Sequence, residues 1–221
     1  QSVQVPDSTV AYIDECIVPN TFITIDANRC FLYIREQVGP TVTDRRGQIA
    51  YGNYAGVDLA TALQAALQVN TALSGSYTVS FNANKANLKI TFSGTGTFIL
   101  GTRTALLAAG QWGGHNFGQN PQDANDGIGL SKDVTTNSDS IELNHMVQLM
   151  PFQNVYLTSS SFGNLNQSQG TLGETDIIRR VPIDQPWGNI IHSVHSTTCD
   201  WVDVSGHQLD TMSFQLGDPN G

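Results

Sequence analysis

At 221 residues and 23.8 kDa the chain has room for one large β domain or two small ones. Hydrophobic residues make up 39%, which supports a packed core and excludes wholesale disorder. Only 13% of residues are charged and the net charge is −9, with Arg45-Arg46 and Arg179-Arg180 the only paired basic residues, so direct nucleic-acid binding and docking to an anionic membrane are disfavoured.

The polar surface must be built mainly from Asn, Gln, Ser and Thr, which suits wide contact surfaces. Cys16, Cys30 and Cys199 are odd in number and widely spaced, with no C-x-x-C, so no zinc or redox motif is offered. They read as thiols made in a reducing compartment, with a single Cys16–Cys30 bridge left open. No apolar run reaches the length of a membrane span, and the expectation is that no signal peptide precedes the domain. The chain starts at Gln1 without Met and stops at "LGDPNG", which reads as a fragment or processed product.

In chain order, "NTFITIDANRCFLYIREQ" alternates, breaks at Asp26-Ala27-Asn28 and resumes at Phe31, the pattern of a hairpin. "GQIAYGNY" predicts a short strand ended by glycines. Next, Leu59, Leu63 and Leu67 recur every fourth residue beside Ala62, Ala66 and Val69, the apolar stripe of an amphipathic helix. Asp58 or Gly56 is the expected cap, and the helix should give way at Asn70. "SYTVSFNANKANLKITF" predicts a strand, an Asn-rich turn and a second strand, with Tyr77, Val79 and Phe81 sharing one face, as do Leu88, Ile90 and Phe92. "GTGTFIL" predicts a third strand after a hairpin turn at Gly94 and Gly96, and "RTALLAAGQW" a short helical turn. The leucine stripe should cover one face of this small sheet.

Residues 110–137 are rich in Gly, Asn and Asp with little periodicity, longer than an ordinary loop, and read as a connection. Six strand candidates follow, from "DSIELNHMVQLMP" to "LDTMSFQL", at the spacing of a sandwich or jelly roll. The expected organisation is an N-terminal helix-plus-hairpin module over 1–109, the connection, and C-terminal jelly-roll strands over 138–221, in a mainly β fold.

Catalytic motifs are missing: no G-x-S-x-G, no H-E-x-x-H and no phosphate-binding loop. The expectation is no enzyme, no catalytic residues, no cofactor and no metal. His192 and His195, three apart in a strand, point to opposite faces and cannot share a metal. "DANDGIG" (Asp123 to Gly129) hints at a calcium loop, but its glycine comes a residue early and the bidentate glutamate is missing, so it reads as a solvated turn. Asn166-Gln167-Ser168 is a glycosylation triplet that matters only in a secreted chain.

Two stretches carry a resemblance. Gly47 to Leu100 looks like a helix–hairpin module of structural proteins from eukaryotic double-stranded DNA viruses and Polinton-type elements, a module also found in phage tail and fibre proteins. The second half is similar to minor capsid or penton-type proteins of the same elements. Val155 to Leu157, Ile178 with Val181-Pro182-Ile183, Pro186, Gly188, Ile190, Ile191, Leu216, Asp218 and Gly221 fill the motif positions. In that family the pattern continues past the final turn with another strand, which this sequence lacks. The resemblance implies a jelly-roll capsid subunit in the virion, without cofactor, acting through contacts with other capsid proteins and as a homo-oligomer. The alternative is a receptor- or glycan-binding spike or fibre domain, for which Trp112, Trp187 and Trp201 are the candidate sugar floor; an enzyme on a sandwich fold comes last.

Overall fold

The structure, a computed structural model, describes residues 3–130, 139–150, 152–162, 177–194, 201–209 and 211–217. The chain opens with β1 (Val3–Gln4), β2 (Val10–Tyr12) and β3 (Glu15–Pro19). A central stretch follows: β4 (Phe31–Val38), β5 (Thr41–Gln48), α1 (Gly56–Gln68), β6 (Ser74–Asn82), β7 (Asn87–Thr95) and β8 (Thr97–Leu100). It continues through α2 (Arg103–Ala109), β9 (Gln111–Trp112), β10 (His115–Asn116), α3 (Asn125–Ile128) and β11 (Ser140–Glu142). Then come β12 (Asn154–Thr158), β13 (Ile177–Pro182), β14 (Ile190–Val194), β15 (Trp201–Asp203), β16 (Gln208–Leu209) and β17 (Gln215–Gly217). The fold is mainly β and every strand ladder is antiparallel.

Two compact units divide the chain. Unit 1 joins residues 1–21 to 152–221, and unit 2 is the stretch between, Phe22–Pro151. The expected division across 110–137 is therefore replaced by one at 21/22 and 151/152. The reason is strand pairing: β1 pairs with β16, β2 with β15, β3 with β14, and β12 with β13. These four pairs are nested, as in a long hairpin wound into a jelly roll. The jelly roll thus includes the N-terminal strands, and unit 2 interrupts it in sequence between β3 and β12.

Unit 2 is built around α1. Leu59, Leu63 and Leu67 are fully buried, in one cluster with Leu32 and Ile34 of β4, Tyr77 of β6, Leu88, Ile90 and Phe92 of β7, and Phe98 of β8. Each buried leucine contributes about 1.5–3 kcal/mol. The helix is core to both three-stranded sheets of unit 2, β5-β4-β8 and β11-β7-β6. Ala55 occupies the N-cap without a side-chain bond, so Asp58 sits in the first turn and acts only on the helix dipole. Asn70 follows the helix at φ 56°, a left-handed conformation asparagine tolerates.

Gln64 and Gln68, one turn apart, accept the Val79 and Tyr77 N–H groups at 3.0 and 2.9 Å. The outer edge of β6 is thereby satisfied by the helix, which protects it from pairing with another chain.

Three local expectations change. The hairpin is β4–β5, turning at Gly39; Phe22 to Asp26 contributes only an isolated bridge between Ile25 and Gly52. Gly94 and Gly96 do not make a hairpin: β8 leaves the sheet of β7 and pairs with β4. The corner needs Gly96, at φ 123°, where a Cβ would lie 2.8 Å from the Gln37 carbonyl oxygen. Finally, Gly110 to Leu130 is part of unit 2, with Trp112, Ala124, Ile128 and Leu130 buried; residues 131–137 lie outside the described residues.

Candidate interaction surface

A buried cluster of titratable groups lies inside unit 2. Glu36, 1% exposed, accepts hydrogen bonds from Arg45 Nε (2.9 Å) and Nη2 (2.6 Å), Thr71 Oγ1 (2.8 Å), the Ala72 N–H (2.7 Å) and the Tyr77 hydroxyl (2.8 Å). Arg45 also donates to the Leu67 and Val69 carbonyls, at 2.5 and 3.1 Å, closing the C-terminal end of α1. Burial pushes the Glu36 carboxyl up, but the donors, Arg45 first, more than offset this and hold it below the usual carboxylate range. Burial, and then the bond to Glu36, push the Tyr77 phenol well up. Every donor is spent on protein partners, so the cluster ties the β4–β5 hairpin to α1 and β6.

"DANDGIG" is not a solvated turn. Asp123 is buried and pairs with Arg103 at 2.5 Å, and Asn125 Nδ2 donates to the Gly101 carbonyl at 3.0 Å. The potential calcium ligands are thus engaged within the protein. Among the described residues no group of three or more His, Cys, Asp or Glu could hold a metal. His192 is exposed on β14, 2.6 Å from Glu15 across the β14–β3 pair; His195 lies outside the described residues. Cys16 and Cys30 are free thiols, and Cys199 and the Asn166-Gln167-Ser168 triplet lie outside the described residues. No helix among the described residues is long and apolar enough to cross a membrane.

The three tryptophans separate. Trp112 is buried in unit 2, its Nε1 donating to the Ile34 carbonyl with the Arg35 guanidinium 4.7 Å from its ring, so it is no sugar floor. Trp187 and Trp201 are 52% and 53% exposed, both in unit 1.

Unit 1 carries the unusual surface. Among the described residues, ten of the eighteen exposed large hydrophobics belong to it, although it is the shorter unit. Period-two alternation puts Ile17 and Pro19 of β3 and Ile190 and Val194 of β14 on one outward face, while Val18 and Ile191 turn inward. On the neighbouring ladder Tyr12 stands directly opposite Trp201, and both are exposed.

A pocket of about 370 Å³ opens on the same unit. Val10, Ala11 and Tyr12 of β2 and Val202 of β15 line it with Phe162 and Ile178. Met212 and Phe214 form its exposed rim. Their segment is held by the serines after β12: Ser161 Oγ donates to the Thr211 carbonyl at 3.0 Å, and the Ser160 and Ser213 hydroxyls are 2.9 Å apart. Buried Arg179 fixes the strands beneath, donating to the Ile13 carbonyl at 2.6 Å, to Ser193 Oγ at 3.0 Å and to the Val194 carbonyl.

Among the described residues no charged side chain lines the pocket. Sequence reasoning missed this site. Its one local signal was the alternation of Met212 and Phe214 with Thr211 and Ser213, which puts both apolar side chains on one face.

No protein-family model matches the sequence, and no curated protein matches it either. Among solved structures the chain is similar to the crystal structure of SeMet-labeled mavirus penton protein, at 12% identity over 99% of this chain and 86% of that chain, with a TM-score of 0.49.

Proposed function

We propose that this chain is a structural subunit of a virus shell, of the minor-capsid or vertex type, acting through protein–protein contacts without catalysis or cofactor. The observation that carries the reading is the concentration of exposed apolar side chains on unit 1, beside a pocket with no charged group among its described lining residues. Exposed apolar side chains gathered on one unit in this way mark a site of association. The nested strand pairing is that of a jelly roll, an architecture used by capsid and lectin domains alike. The "VYL", "V-P-I" and "P-x-G-x-I-I" positions favour the capsid side of that choice.

The test is native mass at low and molar salt, with co-expression alongside shell proteins encoded near its own gene. A shell subunit forms an oligomer or enters particles. Its association persists at 1 M salt, where the Debye length is about 3 Å, because apolar burial is not screened.

The exposed Trp187 and Trp201 favour a second reading, a receptor- or glycan-binding spike domain. A sugar site needs several convergent polar groups around its aromatic floor, and the described lining of the pocket is apolar apart from Tyr12. A chain that stays monomeric, joins no particle and retains a sugar on a glycan array would establish that alternative.

A further inference from the structure

We propose that the outward face of the β3–β14 pair in unit 1 docks a different shell protein, one that presents an apolar strip edged by lysine or arginine. The inference rests on the shell-subunit reading and names the chemistry of the partner.

Charge divides unequally between the two units. Unit 1 holds ten carboxylates against two arginines, and unit 2 holds nine carboxylates against eight lysines and arginines. Of the net −9, the first therefore carries −8 and the second −1. Among the described residues of unit 1, Asp7, Asp14, Glu15, Asp184 and Asp203 are all exposed, whereas Arg179 is buried and Arg180 is the one exposed arginine. The unit that gathers the exposed apolar side chains is also the acidic one.

The face itself has an apolar middle and acidic ends. Ile17, Ile190 and Val194 are 59%, 62% and 62% exposed and share it with Pro19. Asp14 and Glu15 stand at the end where β3 begins, with Glu15 opposite Val194 and 2.6 Å from His192 Nε2. At the other end Pro19 meets Ile190, and the chain after β13 is tied there: Asn20 Nδ2 donates to the Gln185 carbonyl at 2.7 Å, and Asp184 is the residue before. An apolar centre within a polar rim is the anatomy of a protein interface. Acid in that rim selects a partner with cations at the matching positions.

A second copy does not meet this requirement. Two such faces would bring −8 against −8, and unit 2, at −1, offers no excess of cations. Like charges brought together suppress the wrong partner. Nucleic acid and anionic lipid carry the wrong sign as well, and a small polycation would leave the apolar strip uncovered.

The experiment uses the whole chain and, as immobilised probes, the purified shell proteins encoded beside its gene. Association kinetics are read at about 50 mM and 1 M salt for the wild type, for D14K/E15K/D184K and for I17A/I190A. All five substituted side chains are exposed, and unchanged melting temperatures establish that each variant folds. A basic shell protein should bind the wild type. The lysine variant should associate at least about tenfold more slowly. Molar salt should slow wild-type association while the complex persists, since charge sets the on-rate and apolar burial the lifetime. I17A/I190A should dissociate at least about tenfold faster with its on-rate unchanged. Hydroxyl-radical footprinting of the wild type in assembled particles reads the face without any substitution, and Ile17, Ile190 and Val194 should be protected relative to the free chain.

A shell protein whose on-rate ignores both salt and the lysine substitutions overturns the docking face and leaves the shell-subunit reading intact. So does a wild type that enters particles with Ile17 and Ile190 still oxidised, or one that binds only further copies of itself. A chain that enters no particle and binds no shell protein defeats both.

Discussion

Glu36→Gln tests the buried cluster that joins the β4–β5 hairpin to α1. The change conserves shape but replaces an acceptor oxygen with an NH₂ group that faces donors. Arg45, 8% exposed, loses its counter-charge, and of Arg45, Thr71, Ala72 and Tyr77 at least one donor is left unpaired. Breaking a buried ion pair from one side costs about 3–5 kcal/mol. At about 2–4 °C per kcal/mol for a chain of this size, the melting temperature should fall by roughly 6–20 °C. Replacing both members, as Glu36→Gln with Arg45→Met, should recover part of the loss because no charge remains buried.

The pH dependence has a definite sign. The folded-state pKa of Glu36 is depressed, so its contribution is present above the ordinary carboxylate range and is lost as pH falls through the lower folded value. Tyr77, with its pKa raised, contributes fully below the ordinary tyrosine value and loses that contribution as pH rises above it. Urea titrations at neutral pH and at pH 3 read both the mutant loss and the acid slope. An E36Q protein within about 1 kcal/mol of the wild type at neutral pH, with the same acid slope, would refute the reasoning.

Leu63→Asp should leave unit 2 unfolded, since an unpaired carboxylate against the fully buried stripe costs more than about 4 kcal/mol; a soluble protein with a normal melt would contradict the helix placement. Gln64→Ala with Gln68→Ala should cost about 0.5–1.5 kcal/mol per lost bond and free the edge of β6, which light scattering on heating should detect as earlier aggregation. Asp123→Asn should lower stability by about 1–3 kcal/mol through the Arg103 pair. Millimolar calcium should leave the wild-type melting temperature unchanged, whereas a cation filling its site a hundredfold above its dissociation constant would add about 2.7 kcal/mol.

The sequence by itself determined what is periodic over a few neighbours. The four-residue spacing of Leu59, Leu63 and Leu67 specifies a helix and its buried face, because side-chain direction repeats every turn whatever lies opposite. The alternation of β6 and β7 across the turn at Asn82 to Asn87 specifies a hairpin for the same local reason. Tertiary structure decided everything that depends on a partner far along the chain. Val10 to Tyr12 is three residues long, and nothing local tells it to pair with Trp201 to Asp203. Its register, its outward Tyr12 and the pocket beside it exist only once those ends meet. The Gly94-Thr95-Gly96 segment could close a hairpin or turn a corner, and the pairing of β8 with β4 chose the corner. The first acid of "DANDGIG", Asp123, became buried and ion-paired only because the fold brought Arg103 to it. Short strands carry little information about their partners, so their pairing is settled by the burial that the whole chain achieves together.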